Sequence, residues 1–326
     1  MVVQSMAKTD TRDAKATVRQ IKQLERCGCQ LVRVAVPDRE AAEALPAIKR
    51  AISIPLVADI HFDHRLALAA IDAGIDGLRL NPGNIRDPQH IKKVVLAAKE
   101  REIPIRIGVN AGSLPPTKDA TKSTVERMVE TTMNEIDLLE SLDFGLIKVS
   151  LKAFDVPETI EANRIIAKRM PYPIHLGITE SGTPHRGSVR SAVGIGIMLW
   201  EGIGDTIRVS LTGDPREEVS VGYEILKSLG LSRRGPTLIS CPTCGRTEIN
   251  VVALANAVER RLEKVEKPIK VAVMGCVVNG PGEARNADVG IACGKGKGII
   301  FSKGKQVRTV NESEFLSALM AEIDKI

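Results

Sequence analysis

Short apolar, β-branched runs alternate with stretches of helical spacing over the first two thirds of the chain. The runs are Val2–Met6, Leu31–Pro37, Pro55–Phe62, Gly77–Gly83, Pro104–Asn110, Gly145–Ala153, Ile174–Glu180 and Thr206–Pro215. Their first residues lie 22 to 41 positions apart, the spacing of strand-plus-helix units. The segments between them predict helices over Thr17–Arg26, Ala41–Ser53, Leu66–Ala73, Gln89–Arg101, Val125–Leu142, Thr159–Lys168, Val189–Trp200 and Glu217–Leu229. Asp38 and Ser123 stand where helix caps belong. Eight such units in about 230 residues is the size of a (β/α)8 TIM-like barrel. A doubly wound open sheet is the alternative.

The pattern breaks at Gly230–Pro236, a polar stretch with glycine and proline that reads as a linker. Beyond it the order is a strand at Thr237–Ser240, a helix from Thr247 to about Val265, a strand at Ile269–Met274, and strands at Asp288–Cys293 and Gly298–Lys303 around a Gly/Lys turn. A helix from Glu312 closes the chain, with Asn311 and Glu314 spaced as a capping box. The expected organisation is therefore a barrel over 1–229, a linker over 230–236 and a smaller α+β domain over 237–326.

Side chains two apart on a barrel strand share a face, and one face is the packed interior. Several strands place polar residues at that spacing: Asp59 and His61, Arg79 and Asn81, Lys148 with Ser150 and Lys152, Arg208 and Ser210. Arg33 and Arg106 occupy comparable positions, Asn110 ends the fifth strand, and Thr179-Glu180 ends the seventh. Counting one cation per strand gives Arg33, Arg79, Arg106, Lys148 and Arg208 against the carboxylates Asp59 and Glu180. Buried unpaired cations are unfavourable unless an anion fills the pocket, and the guanidinium fork suits phosphate oxygens. For any one of these residues the plain reading is an ion pair within the barrel, Arg33 with Asp59 or Arg208 with Glu180. Five on separate strands point instead to a phosphorylated substrate at the carboxyl ends of the strands. His61 and His175 read as core or rim histidines, because no second histidine lies at ligand spacing. Gly294-Lys295-Gly296-Lys297-Gly298 lacks the pattern of a phosphate loop and reads as a hairpin turn.

Composition adds limits. Of 326 residues, 43% are hydrophobic and 26% charged, the range of a globular protein. Only eight aromatic residues (one Trp, two Tyr, five Phe) leave little for base stacking, so the net charge of +6 does not by itself imply nucleic acid. No apolar run reaches the length of about 20 residues that spans a bilayer, and no secretory pattern opens the chain, so a cytoplasmic protein is expected. In that reducing setting the cysteines suggest metal or cluster chemistry. Cys241-Pro242-Thr243-Cys244-Gly245 follows a strand and precedes a helix. Cys276 ends another strand and is followed by Asn279-Gly280-Pro281-Gly282-Glu283, whose tight turn brings a carboxylate round beside it. Cys293 is a possible fourth thiolate, and Cys27 and Cys29 read as buried thiols. Spacing alone leaves two options open, a structural zinc site and an iron–sulfur cubane.

Val2-Val3-Gln4-Ser5-Met6, Thr11-Arg12-Asp13, Arg79-Leu80-Asn81-Pro82-Gly83-Asn84, Arg106-Ile107-Gly108-Val109-Asn110, Gly112-Ser113-Leu114 and Gly204-Asp205-Thr206-Ile207-Arg208-Val209-Ser210-Leu211 form a set. With Ser240–Arg246 and Met274–Glu283 it resembles the 4-hydroxy-3-methylbut-2-enyl diphosphate synthases over nearly the whole chain. The resemblance implies a barrel followed by an iron–sulfur domain. It implies a [4Fe-4S] cluster on Cys241, Cys244, Cys276 and Glu283, which tips the metal choice. It also implies reductive ring opening of 2-C-methyl-D-erythritol 2,4-cyclodiphosphate in the non-mevalonate isoprenoid pathway, with electrons from ferredoxin or flavodoxin. Under that reading Arg33, Arg79, Arg106, Lys148, Thr179, Arg208 and Ser210 hold the substrate, Asn81 and Asn110 orient it, and Glu180 and Glu283 are catalytic. A head-to-tail homodimer is expected, one subunit's cluster domain capping the other's barrel. The family carries some tens of residues ahead of its Val-Gln-Ser-Met strand, so the expectation is either a mis-assigned start or a form lacking that segment. The competing readings are a non-redox barrel enzyme on a phosphorylated or pterin-like substrate with structural zinc, and a zinc-ribbon nucleic-acid binder.

Overall fold

Strand and helix alternate eight times before the chain changes character. In the computed structural model the strands are β1 (Val2–Met6), β2 (Leu31–Ala35), β3 (Leu56–Ile60), β4 (Gly77–Leu80), β5 (Ile105–Asn110), β6 (Ile147–Lys152), β7 (His175–Leu176) and β8 (Thr206–Ile207). The helices between and after them are α1 (Ala14–Arg26), α2 (Arg39–Ala51), α3 (His64–Asp72), α4 (Pro88–Glu100), α5 (Thr124–Ser141), α6 (Val156–Ala167), α7 (Pro184–Trp200) and α8 (Pro215–Ser228). The structure describes residues 1–61, 63–80, 87–116, 119, 121–276, 282 and 286–326.

Helix starts follow from short acceptors. The side chains of Asp13, Asp38, Asp63, Asp87, Asp155 and Asp214 each accept a backbone N–H of the helix they precede. Ser123 and Glu126 form a reciprocal capping box at α5. Each such cap contributes about 1 kcal/mol.

All strands of this unit are parallel, in the order β6-β5-β4-β3-β2-β1-β8-β7. A bridge between Val149 and Ile174 joins β6 to the start of β7 and closes the ring. Following paired residues once round the barrel from position 59 returns to position 51, a stagger of eight residues. That is the shear of a (β/α)8 barrel. A row of partners therefore descends as it circles. Asp59, Arg79, Arg106 and Lys148 are successive members of one such row, and Lys148 is its deepest. The apolar core between strands and helices includes Val32, Leu56, Leu78, Ile105, Val149, Leu176 and Ile207. β7 and β8 are shorter than their apolar runs suggested, because the backbone beyond Leu176 and Ile207 leaves the ladder while Ile178, Val209 and Leu211 stay buried.

A second compact unit begins at Arg233, inside the Gly230–Pro236 stretch. It comprises β9 (Thr237–Ser240), α9 (Val251–Leu262), β10 (Lys270–Met274), β11 (Val289–Cys293), β12 (Lys297–Ser302), β13 (Lys305–Asn311) and α10 (Phe315–Ile323). The sheet order is β13-β12-β11-β10-β9, with β9, β10 and β11 parallel and the last two pairings antiparallel. Three details differ from the residue pattern, the first being that α9 starts at Val251, capped by Asn250, rather than at Thr247. β13 was not anticipated, because as an exposed edge strand it lacks a buried apolar face. The last helix opens with a 3-10 turn, Glu312–Glu314, and becomes α-helical only at Phe315.

Candidate active site

The barrel interior near its carboxyl end is crowded with cations. Arg79 is 4% exposed, donates from NH1 to Asp59 Oδ1 at 3.0 Å, and donates from NH2 to the Gly108 carbonyl at 3.3 Å. A Cβ on residue 108 would stand 2.6 Å from Arg79 Nε, so the glycine makes room for that guanidinium. Arg33 Nε lies 3.5 Å from Asp59 Oδ2, and its Nε and NH2 also contact Met6 Sδ at 3.1 and 2.9 Å. Arg106 is 6% exposed and donates to Gln4 Oε1 at 3.3 Å, its one hydrogen bond among the described residues. Arg208 Nε lies 3.6 Å from Glu218 Oε2.

Lys152 belongs to this group, although the sequence reading chose Lys148. The two share a strand face, but the descending stagger decides their depth. Lys148 senses Arg106 and Asp205, whereas Lys152 senses Arg106, Arg208, Arg33 and Arg79 together. Lys152 is 8% exposed, and its ammonium lies over Gly177, where a Cβ would approach Nζ to 2.6 Å.

Burial and mutual repulsion show in the titration of these groups. Burial pushes Arg33 down to about 9, with Asp59 opposing. Burial, then Arg33 and Arg79, hold Arg106 well below the ordinary arginine value. Burial, then Arg106 and Arg208, do the same to Lys152. Asp59 moves the other way: burial would raise it, but Arg33, a hydrogen bond from His61 and Arg79 outweigh burial and hold it below the carboxylate range. The Nε atoms of Arg79, Arg106 and Arg208 are buried without hydrogen-bond partners among the described residues. Arg33 and Arg79 thus share Asp59, and Arg208 shares Glu218 with Lys8, while Arg106 and Lys152 have no carboxylate at ion-pair distance among the described residues. Such a pocket is complementary to a multiply charged anion.

The second carboxylate is the main correction to the sequence reading. Glu180 does not pair with Arg208; it is exposed, with a left-handed φ of 53°. Side chains beyond glycine, asparagine and aspartate rarely adopt that conformation, and it concentrates at functional loops. Glu218 was missed because an acid in the first turn of a helix usually serves the helix dipole in solvent. Asn110 ends β5 half-buried, Thr179 is half-buried beside Glu180, and half-buried Ser210 accepts a hydrogen bond from Ser181 through its carbonyl. His61, half-exposed, lies 3.4 Å from Asp59. His175 is buried against Thr206 with Nδ1 to Oγ1 at 2.8 Å, as a core histidine. Asn81 falls outside the described residues.

In the second unit, Cys241 follows β9 and Cys276 follows β10 by one residue, at the same end of two paired parallel strands. The Gly275 N–H donates to Cys241 Sγ at 3.2 Å, the kind of bond that stabilises a thiolate. Cys244 is exposed, its N–H held by Thr247 Oγ1 at 3.1 Å, and Cys276 is buried. Glu283 lies outside the described residues. Sulfur donors at one sheet end, one already receiving an amide hydrogen bond, fit a thiolate-bound cluster. Among the described residues no group of three His, Cys, Asp or Glu side chains stands at single-ion spacing. Cys293 sits fully in the core, where burial, then Cys241, push its thiol up to about 12. Cys27 is exposed rather than buried, whereas Cys29 is buried with its thiol raised by burial to about 11.

Among the described residues no helix is long and apolar enough to cross a membrane. Residues 1–223 match the family model described as the GcpE TIM-barrel domain, and residues 237–325 match the GcpE protein C-terminal domain. A Dehalococcoides mccartyi protein named 4-hydroxy-3-methylbut-2-en-1-yl diphosphate synthase (flavodoxin) is 63% identical over 98% of this chain and 92% of its own length. A protein of the same name from Geobacter sulfurreducens is 57% identical over 99% of this chain and 92% of its length. Among solved structures, dihydropteroate synthase from Stenotrophomonas maltophilia aligns with a TM-score of 0.53 at 15% identity, covering 70% of this chain and 91% of that one. At that identity the likeness is one of fold alone.

Proposed function

The chain belongs to the GcpE family, and on that premise we propose that it catalyses the reductive ring opening of 2-C-methyl-D-erythritol 2,4-cyclodiphosphate to 4-hydroxy-3-methylbut-2-enyl diphosphate, a step of isoprenoid biosynthesis. Two electrons and two protons enter, the ring bond between carbon and the diphosphate oxygen opens, and the C3 oxygen leaves as water.

The observation that carries the reading is the ring of buried cations. Arg33, Arg79, Arg106, Lys152 and Arg208, buried or half-buried, outnumber Asp59 and Glu218 inside the barrel. A cyclic diphosphate supplies the missing negative charge, and the same donors stabilise the diphosphate as it becomes a leaving group. Asn110, Thr179 and Ser210 are the proposed polar contacts that orient the ring, with Asn81 and Lys148 as further contacts from the resemblance. Glu180 is the carboxylate for proton delivery, and its accessible position on a left-handed turn supports that role.

Cys241, Cys244, Cys276 and Glu283 are the proposed ligands of a [4Fe-4S] cluster. When bound, the cluster supplies the one-electron steps of the reduction. The relatives' names carry flavodoxin, which supports flavodoxin as the electron donor, with ferredoxin the chemical alternative. We place the enzyme in the cytoplasm, where reducing conditions keep these thiols available. A head-to-tail homodimer is the assembly proposed: α8 ends on the barrel face opposite the cation ring, so a second copy most simply brings a cluster to the mouth. A non-redox barrel enzyme with structural zinc is not favoured, since the named relatives share one activity. The test is anaerobic purification with metal and sulfide analysis: brown protein with about four irons and four sulfides per chain supports the reading, and colourless protein with one tight zinc overturns it.

A further inference from the structure

Glu218 reaches the site from the helix layer. It lies in the first turn of α8 and is 1% exposed. Its carboxylate accepts the Leu211 N–H at 3.1 Å and the Ser5 hydroxyl at 3.2 Å, and pairs with the Lys8 ammonium at 3.0 Å. Lys8 is itself fixed by donating to the carbonyls of Leu211 at 2.7 Å and Gly213 at 2.6 Å. One carboxylate thus ties β1 and its following loop to the end of β8 and the start of α8. Burying a carboxylate this completely is unfavourable unless its charge is used.

Arg208 is a further neighbour, its Nε 3.6 Å from Oε2 and without a hydrogen-bond partner among the described residues. Among the described residues Arg208 makes no side-chain hydrogen bond at all, so Coulomb attraction to Glu218 is what fixes the near edge of its guanidinium. With Nε turned toward Glu218, the two terminal nitrogens of the planar fork are left for an incoming anion. Asp59 holds Arg33 through its Nε at 3.5 Å, and takes a hydrogen bond from the NH1 of Arg79. We propose that Glu218 is a positioning residue that orients Arg208 toward the diphosphate, acting through the arginine and without touching the substrate. The inference rests on the diphosphate reading of the site given above.

The test is a double-mutant cycle with inorganic pyrophosphate as the probe, followed by titration calorimetry on the anaerobically prepared full-length protein. Glu218→Gln keeps the shape and an acceptor oxygen for Leu211 but removes the charge. It is expected to weaken pyrophosphate binding about tenfold, a change of about 1.4 kcal/mol, and to raise KM for the cyclic diphosphate in parallel with kcat within about twofold. In an Arg208→Met background the same substitution should change binding less than about twofold, the signature of two residues acting as one. Glu218→Asp, which keeps the charge on a shorter stem, should fall between wild type and Glu218→Gln, and serves if the glutamine variant does not fold. An equal loss in both backgrounds, or a lower melting temperature with unchanged pyrophosphate binding, overturns the positioning role. Wild-type turnover alongside such a result would leave the functional reading standing; wild-type protein that neither binds pyrophosphate nor turns over would remove both.

Discussion

Arg106→Met separates folding from function with opposite signs. Among the described residues Arg106, 6% exposed, has no carboxylate within ion-pair distance and one hydrogen bond, to Gln4. Its charge is buried beside Arg33 and Arg79, and that desolvation with like-charge repulsion drives its pKa down. Methionine fills much of the same space without the charge. Replacing buried ionic groups with apolar ones of similar volume stabilises proteins by about 1 to 4 kcal/mol. Taking about 1.5 kcal/mol, because the Gln4 hydrogen bond is also lost, the barrel should melt about 4 °C higher in the absence of ligand. Substrate binding should move the other way. A charge-assisted hydrogen bond to a phosphate oxygen is worth about 2 kcal/mol, so KM should rise about thirtyfold. Arg79→Met is the contrast, because it strips Asp59 of its 3.0 Å partner. It should lower the melting temperature while also raising KM. Differential scanning fluorimetry with and without the cyclic diphosphate, beside steady-state kinetics, measures both quantities. A ligand-free Arg106→Met protein that melts lower than wild type, or one with unchanged KM, would refute the claim that the barrel tolerates an unpaired cation in order to bind an anion.

Other outcomes follow from the same geometry. Lys152→Met should raise KM at least tenfold, more than Lys148→Met, and kinetics on the two variants side by side decide which lysine faces the substrate. The folded pKa of Lys152 lies below its ordinary value of 10.5, so in the window beneath 10.5 the unfolded chain holds more protons than the folded one. Ligand-free stability should therefore rise, and substrate affinity fall, as pH climbs through that window, and Lys152→Arg should weaken both trends in pH-dependent melting and KM profiles. Gly108→Ala places a Cβ 2.6 Å from Arg79 Nε and should raise KM severalfold by displacing the guanidinium. Cys293→Ala should leave iron and sulfide content unchanged, whereas Cys241→Ala should lower both.

The barrel was legible because its strands are short and β-branched and its helices are capped by aspartate or serine, signals that lie within a few residues. Depth was not legible. Lys148 and Lys152 lie on one strand face, and only the stagger of eight residues, a property of the closed ring, assigns the second to the cation group. Partner choice was legible only in part: the Arg33–Asp59 pair is close to what strand alternation suggested, but Arg208 takes a carboxylate from a helix that sequence spacing did not bring near it. β13 escaped notice for the opposite reason, since an edge strand exposed along most of its length has no alternation to detect. Strand-end position alone made Cys293 a possible fourth thiolate, and only the packing of the second sheet shows it in the core.

Turnover is the most direct test of the central claim. Anaerobically reconstituted protein is mixed with 2-C-methyl-D-erythritol 2,4-cyclodiphosphate and reduced flavodoxin, and product is followed by phosphorus NMR. One 4-hydroxy-3-methylbut-2-enyl diphosphate is expected per two electrons consumed, and none from a variant lacking Cys241. Iron-loaded protein that consumes no electrons and leaves the cyclic diphosphate intact would contradict it.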